Sequence, residues 1–258
     1  MFDTHAHIHD AAYDGDRDAV LGRAWEAGVS RILTVGCDLA DSKRALDAAL
    51  RYGLQASIGI HPHEAKDAPP DLEASFDALV AAAELPPIAV GETGLDYFYD
   101  HSPRDTQRRV LVDQLRYARR RRLPLIFHQR DAYDDFIAVL RAEFEPGTRG
   151  VVHCFTGDAA QAQRYRDEFG LFLGIGGVLT FKNAQPLRDA VRAVGLEHLI
   201  LETDCPYLAP VPHRGQRNEP AYVSATADKL ADLLEVDIAE ITVRTTANAT
   251  ALFGAARS

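Results

Sequence analysis

Three of the ten histidines in this 258-residue chain lie within its first nine residues, in the run MFDTHAHIHD. His5 and His7 are two apart, so in an extended segment their imidazoles project from one face, together with Asp3. Imidazoles and ionised carboxylates are common ligands of divalent cations. The same residue types recur at the ends of short apolar runs: Glu92 after IAVG, His128 after LIF, His153 after VV, and Asp204 just past LILET, which contains Glu202. A single histidine at a strand end is ordinarily a hydrogen-bonded structural residue. Six suitable donors at the ends of five separate runs form a coherent ligand set instead. Four imidazoles with two or more carboxylates exceed the needs of one tetrahedral ion. The set therefore predicts two divalent ions about 3.5–4 Å apart, sharing a carboxylate.

Such a set needs a scaffold that brings distant strand ends together. Eight short apolar runs read as strands: residues 1–5, 31–35, 54–60, 88–91, 125–128, 151–153, 171–175 and 199–202. Amphipathic stretches with helix signals lie between them, at 14–28, 41–52, 71–84, 102–122, 133–144, 158–169 and 186–194, followed by 221–234 and 238–253. Strands alternating with helices, with no linker or low-complexity segment, predict a parallel sheet closed as a single (β/α)8 TIM barrel, an α/β fold, over residues 1–258 with an extra C-terminal helix. In that fold the carboxyl ends of the strands form the catalytic face, and every candidate ligand stands there.

Composition narrows the function. The chain is 47% hydrophobic and 26% charged, an ordinary globular balance, with a formal charge of −10. An acidic surface argues against a non-specific DNA coat, because such affinity comes from Lys and Arg on phosphates. Brief contact with phosphate through metal ions stays open. No stretch approaches the ~18 apolar residues of a membrane span, and the start has neither the basic nor the apolar region of a secretory signal. Three widely spaced cysteines, Cys37, Cys154 and Cys205, make neither a disulfide framework nor a metal knuckle, which predicts a cytoplasmic protein.

The segments FDTHAHIHD, GIHPH, GETGLDY, FHQRDA, VVHCFTGD, GGVLTFKN, LETDCPYLAPVPHRGQRNEP and ANAT resemble the TatD-type family of metal-dependent deoxyribonucleases in the amidohydrolase superfamily, in register over nearly the whole chain. The resemblance implies a TIM barrel, two metal ions and hydrolysis of phosphodiester bonds in DNA from 3′ ends. It implies that His5 and His7 bind one metal, that Glu92 bridges both, and that His128 and His153 bind the second. Asp204 aligns with the aspartate beside the nucleophilic water, and Glu202 with a neighbouring acid that supports it. The chain departs from the family at Gln129, where HSRDA is common, and at Gln216, where RGKRNEP is common; the ligands are intact.

The expected chemistry follows. Glu92, Glu202 and Asp204 make the mouth negative if Asp3 lies too deep to contribute, and two divalent ions reverse that sign. A metal-activated hydroxide is the expected nucleophile, with Asp204 receiving its proton. Imidazoles suit zinc, while carboxylates and a phosphate substrate also admit magnesium or manganese. Arg130, Lys182, His213, Arg214 and Arg217 follow strands and are candidate phosphate contacts. His61 and His63, in GIHPH, are candidate substrate or supporting residues. Tyr97, Phe98, Tyr99, Phe155 and Tyr207 are loop aromatics able to stack on bases. The basic run Arg119 to Arg122 ends a helix on the opposite face and reads as a solvated helix end. Gly174, Gly176 and Gly177 allow close backbone approach, Cys154 and Cys205 read as packing residues, and His9, His101 and His198 as surface or packing residues. The expected partner is DNA, held transiently and only with metal, with neither a membrane nor an obligate protein partner. The alternative enzyme reading is an amidohydrolase cleaving a C–N or ester bond of a small molecule. Glu92, where related amidases often carry a modified lysine, favours the nuclease. A catalytically silent scaffold would be marked by lost ligands.

Overall fold

Runs of β-branched and aliphatic residues form eight strands: β1 Phe2–Ala6, β2 Arg31–Val35, β3 Gln55–Ile58, β4 Ala89–Asp96, β5 Leu125–Arg130, β6 Gly150–Val152, β7 Phe172–Ile175 and β8 Leu199–Leu201. The structure, a computed structural model, describes residues 1–255; residues 256–258 of the expected single domain lie outside the described residues. The strands run in one sheet in the order β1 to β8. β3, β4, β5 and β6 pair parallel in succession, as do β7 and β8. An α-helix follows each strand: α1 Arg17–Glu26, α2 Leu39–Tyr52, α3 Leu72–Ala82, α4 Arg104–Arg121, α5 Tyr133–Glu143, α6 Ala159–Phe169, α7 Gln185–Val194 and α8 Val223–Leu234, with α9 Ile238–Phe253 beyond. This is the predicted (β/α)8 barrel with its additional C-terminal helix. No helix among the described residues is long and apolar enough to cross a membrane.

Two compact units are distinguishable, Met1–Leu33 with the segment from Cys154 onward, and Thr34–His153. In the first, the Tyr13 hydroxyl, buried, donates to the Asn218 carbonyl at 2.6 Å, and Arg23 pairs with Glu219 at 2.5 Å. In the second, α4 starts behind Pro103 and carries Asp105 in its first turn and Arg119, Arg120 and Arg121 in its last, charges that complement the helix dipole at each end. Arg119, Arg120 and Arg121 pair with Glu145, Glu73 and Asp77. The most basic run of the sequence is thus an exposed helix end neutralised by carboxylates of its own unit.

One strand departs from expectation. The sequence predicts an end at Gly91, because Gly-Glu-Thr-Gly has little strand propensity, whereas β4 continues to Asp96. Pairing with β5 sustains it, with Gly94 opposite His128 and Asp96 opposite Arg130, after a register shift between Val90 and Thr93. Such a bulge bends the strand and re-aims its side chains. Gly94 has a φ of 153°, and a Cβ there would lie 1.8 Å from the His128 carbonyl oxygen. Only glycine admits that approach.

Candidate metal centre

Each unit assembles its own cluster of ligand-type side chains. In the first, Asp204 N–H donates to the His5 carbonyl and His7 N–H to the Cys205 carbonyl, both at 2.8 Å, so β1 and the residues after β8 advance side by side. The two imidazoles then meet, with His5 Nε2 3.3 Å from His7 Nε2. Asp204 Oδ1 lies 3.8 Å from the first and 3.6 Å from the second. Two like nitrogens and a carboxylate oxygen therefore face one small space, a donor set that a divalent cation fits.

Below them, Asp3 is fully buried and accepts from Thr203 N–H at 2.9 Å and Thr203 Oγ1 at 2.7 Å. Burial pushes its carboxyl up to about 8, against the Thr203 hydrogen bonds and with Glu202 adding to the rise. Asp3 therefore supports β8 and supplies little charge at neutral pH. Glu202, 1% exposed, accepts from Cys154 N–H through Oε1 at 2.5 Å. Gly174 makes room for it, since a Cβ there would stand 2.1 Å from Glu202 Oε2. Cys205 is buried, and burial pushes its thiol up to about 12, so it packs and does not react.

The second unit converges more sharply. Glu92 sits within β4 and not at its end. Three imidazole nitrogens face its Oε1: His128 Nδ1 at 2.9 Å, His153 Nε2 at 2.9 Å and His61 Nε2 at 3.5 Å. Backbone pairing brings them there, with His153 N–H on the Phe127 carbonyl, His61 N–H on the Cys37 carbonyl and Glu92 N–H on the Gly36 carbonyl. Burial pushes the His61 imidazole down to about 4, opposed by Glu92 and reinforced by His128 and His63. His61 is thus neutral at neutral pH, with a lone pair to offer. Ligand atoms of His61, Glu92 and His128 all lie within 4.8 Å of one another. Imidazoles gathered on one buried carboxylate oxygen suit a divalent cation, zinc above all by ligand type, with manganese or magnesium compatible with the carboxylate. The sequence reads His61 as a substrate or supporting residue; the structure sets its Nε2 3.5 Å from Glu92 Oε1.

Asp96 escapes the sequence reading altogether. Its Oδ2 lies 3.0 Å from both His63 Nε2 and His128 Nε2. Burial would push its carboxyl up, but hydrogen bonds from His128, the Tyr99 N–H and His63 hold it well below the usual carboxylate range. Its His128 imidazole is disfavoured as a cation by burial, yet Asp96 and Glu92 outweigh that and raise it. The available signal is the alternation Glu92, Gly94, Asp96 in GETGLDY, which places the carboxylates on one face only if the strand is known to continue.

The candidate phosphate contacts are exposed or engaged by other groups. Arg130 is exposed, with its guanidinium 4.1 Å from the Phe98 ring centroid and 4.8 Å from that of Tyr99. Arg214 lies 3.9 Å over the Phe181 ring, Lys182 is exposed, and His213 stacks on Tyr222 at 3.7 Å. Arg217 is engaged within the fold, holding Asp16 at 2.6 and 2.9 Å and the Ala12 carbonyl at 2.6 Å. Among the loop aromatics, Phe98, Tyr99 and Tyr207 are about half exposed. The Tyr97 hydroxyl is bonded to Asp135 at 2.7 Å, and Phe155 is buried against Tyr165, which withdraws it from base stacking. His63 is packed edge-on to Tyr99 and His101, and His9 is buried.

Comparison with known proteins places this arrangement among similar chains. The family model described as TatD related DNase matches residues 2–254. The chain is 40% identical to the uncharacterized metal-dependent hydrolase YabD of Bacillus subtilis, over 98% of each chain. It is 35% identical to the 3′-5′ ssDNA/RNA exonuclease TatD of Salmonella typhimurium, again over 98% of each. Among solved structures, YjjV of Escherichia coli, a TatD homologue, superposes with a TM-score of 0.91 at 32% identity, covering 99% of this chain and 98% of that one.

Proposed function

The chain belongs to the TatD-related DNase family of metal-dependent hydrolases, and from that premise we propose that it hydrolyses phosphodiester bonds in DNA, removing nucleotides from the 3′ end with two divalent ions. His5, His7 and Asp204 would hold one ion, and Glu92, His128 and His153 the other, with His61 facing Glu92. The observation that carries the reading is the gathering of His61, His128 and His153 nitrogens within 3.5 Å of one Glu92 oxygen. The name of the Salmonella relative, 3′-5′ ssDNA/RNA exonuclease TatD, supports the polarity and the nucleic-acid substrate.

Divalent ions bound by these residues supply Lewis acidity and a water acidified towards pKa ~7. The chain supplies the rest. Asp204, held by its backbone to His5, orients the attacking water and receives its proton at a carboxylate oxygen. Glu202, fixed by the Cys154 N–H, keeps the β8 end in place behind Asp204. Arg130 and Arg214 offer guanidinium groups to the flanking phosphates, and half-exposed Phe98 and Tyr99 offer rings to unpaired bases. The few, widely spaced cysteines Cys37, Cys154 and Cys205 support a reducing, cytoplasmic setting, where such an enzyme would serve DNA degradation or repair.

The test is a panel of oligonucleotides labelled at either end, run with the metal-free protein and again after adding Zn²⁺, Mn²⁺ or Mg²⁺. Stepwise shortening from the 3′ end, only with metal, is the expected result. Cleavage of small amides or esters with no oligonucleotide turnover would transfer the site to C–N or ester chemistry.

A further inference from the structure

Asp96 is fully buried and divides its two oxygens between two tasks. Oδ2 faces His128 Nε2 and His63 Nε2, each at 3.0 Å. Oδ1 accepts from Phe98 N–H at 3.0 Å and Tyr99 N–H at 2.9 Å. The backbone of Asp96 is itself clamped, its N–H donating to Gln107 Oε1 at 2.8 Å and its carbonyl accepting from Gln107 Nε2 at 3.1 Å. Four donors around one carboxylate match an acceptor-only group with its lone pairs filled.

A neutral imidazole carries one proton, so the bond made by one ring nitrogen decides what the other can do. His128 has Nε2 at Asp96 and Nδ1 at 2.9 Å from Glu92 Oε1. Both nitrogens thus face carboxylates; a cation taken up beside Glu92 would displace the proton on Nδ1, and Asp96 keeps the one on Nε2, so the Nδ1 lone pair is the one directed into the ligand cluster. The other oxygen meanwhile fixes the turn bearing Phe98 and Tyr99, whose Tyr99 ring packs 5.4 Å from that of His63.

We propose that Asp96 is a positioning residue that locks His128 in the Nε2-protonated tautomer, frees Nδ1 for a divalent cation, and seats the Phe98–Tyr99 turn with the same side chain. The inference rests on the metal-dependent reading of the site. Outer carboxylates of this kind change metal affinity by about 10–100-fold when removed.

Asp96→Asn separates this role from simple packing. The amide keeps a carbonyl oxygen for the Phe98 and Tyr99 N–H groups but presents N–H to His128, which favours the opposite tautomer. In the Zn²⁺-loaded protein, ¹⁵N-histidine NMR should find His128 protonated at Nε2, with the signal assigned by its loss in His128→Asn. In Asp96→Asn, competition against a zinc-binding dye should show Zn²⁺ affinity weakened by about 10–100-fold in a protein that still unfolds cooperatively. Unchanged Zn²⁺ affinity in Asp96→Asn would overturn the proposal. Should that variant not fold, a Zn²⁺-loaded wild-type His128 protonated at Nδ1 overturns it alone. Failure of wild-type protein to bind Zn²⁺ or Mn²⁺ would bring down the metal reading as well, an outcome distinct from normal wild-type binding with an indifferent variant.

Discussion

The two ligand clusters of this chain are built differently. His5 and His7 come from one strand end at a spacing of two, and Asp204 joins them through adjacent backbone; three side chains meet at 3.3–3.8 Å. The Glu92 cluster draws His61, Glu92, His128 and His153 from the neighbourhoods of four strands, and Asp96 braces it from behind. The first is a product of local periodicity. The second depends on register, on a bulge and on a glycine. A braced set of three imidazoles should hold its ion more tightly than two imidazoles and a carboxylate with 14% side-chain exposure.

Chelation tests that contrast with the largest effect. Graded chelator should empty the His5 and His7 site first, and full removal should drop oligonucleotide turnover to background, a loss of about 10⁴-fold or more. DNA binding, followed by anisotropy, should fall with it, because the stripped carboxylates repel phosphate; strong binding by metal-free protein would break the charge argument. Next in size, Asp204→Asn should lower turnover by about 10²–10⁴-fold while elemental analysis still finds most of the metal, since two imidazoles stay. Near-normal turnover would remove Asp204 from the proton path.

Two glycines sharpen the comparison through stability. A Cβ at Gly94 meets backbone, the His128 carbonyl oxygen, and its φ of 153° suits only glycine, whereas a Cβ at Gly174 meets the end of the buried Glu202 side chain, which can move only by giving up its Cys154 hydrogen bond. Gly94→Ala should therefore cost about 2–4 kcal/mol in urea unfolding, and Gly174→Ala about 1–2 kcal/mol with further damage appearing in turnover. Equal costs would mean that the Glu92 region is no more tightly constrained. The smallest effect belongs to the exposed loop: Phe98→Ala should raise KM for single-stranded oligonucleotides by about 5–10-fold, the low end of a stacking contribution of about 1–3 kcal/mol, and leave an abasic 3′ end unaffected.

Legibility follows the same division. Strand and helix alternation appears in the sequence because buried parallel strands are short apolar runs between capped amphipathic segments, and α9 begins and ends at the residues expected, Ile238 and Phe253. His5 and His7 declare themselves because a spacing of two is enough to align them. Asp96 does not, since β4 crosses Gly-Glu-Thr-Gly on the strength of pairing with β5, a long-range interaction that local propensity opposes. For the same reason His61 reads only as a substrate or supporting residue: its approach to Glu92 depends on a backbone bond to Cys37 that no local pattern announces. Arg217 looks like a free cation in sequence because Asp16, its partner, lies far away along the chain.

Metal stoichiometry tests the two-cluster account most directly. Elemental analysis after reconstitution and gel filtration should find two ions per chain in wild type. It should find one in His5→Ala/His7→Ala, and a different, weaker one in His128→Ala/His153→Ala, with circular dichroism confirming that both variants fold. A single ion in wild type, lost equally in both double variants, would contradict it.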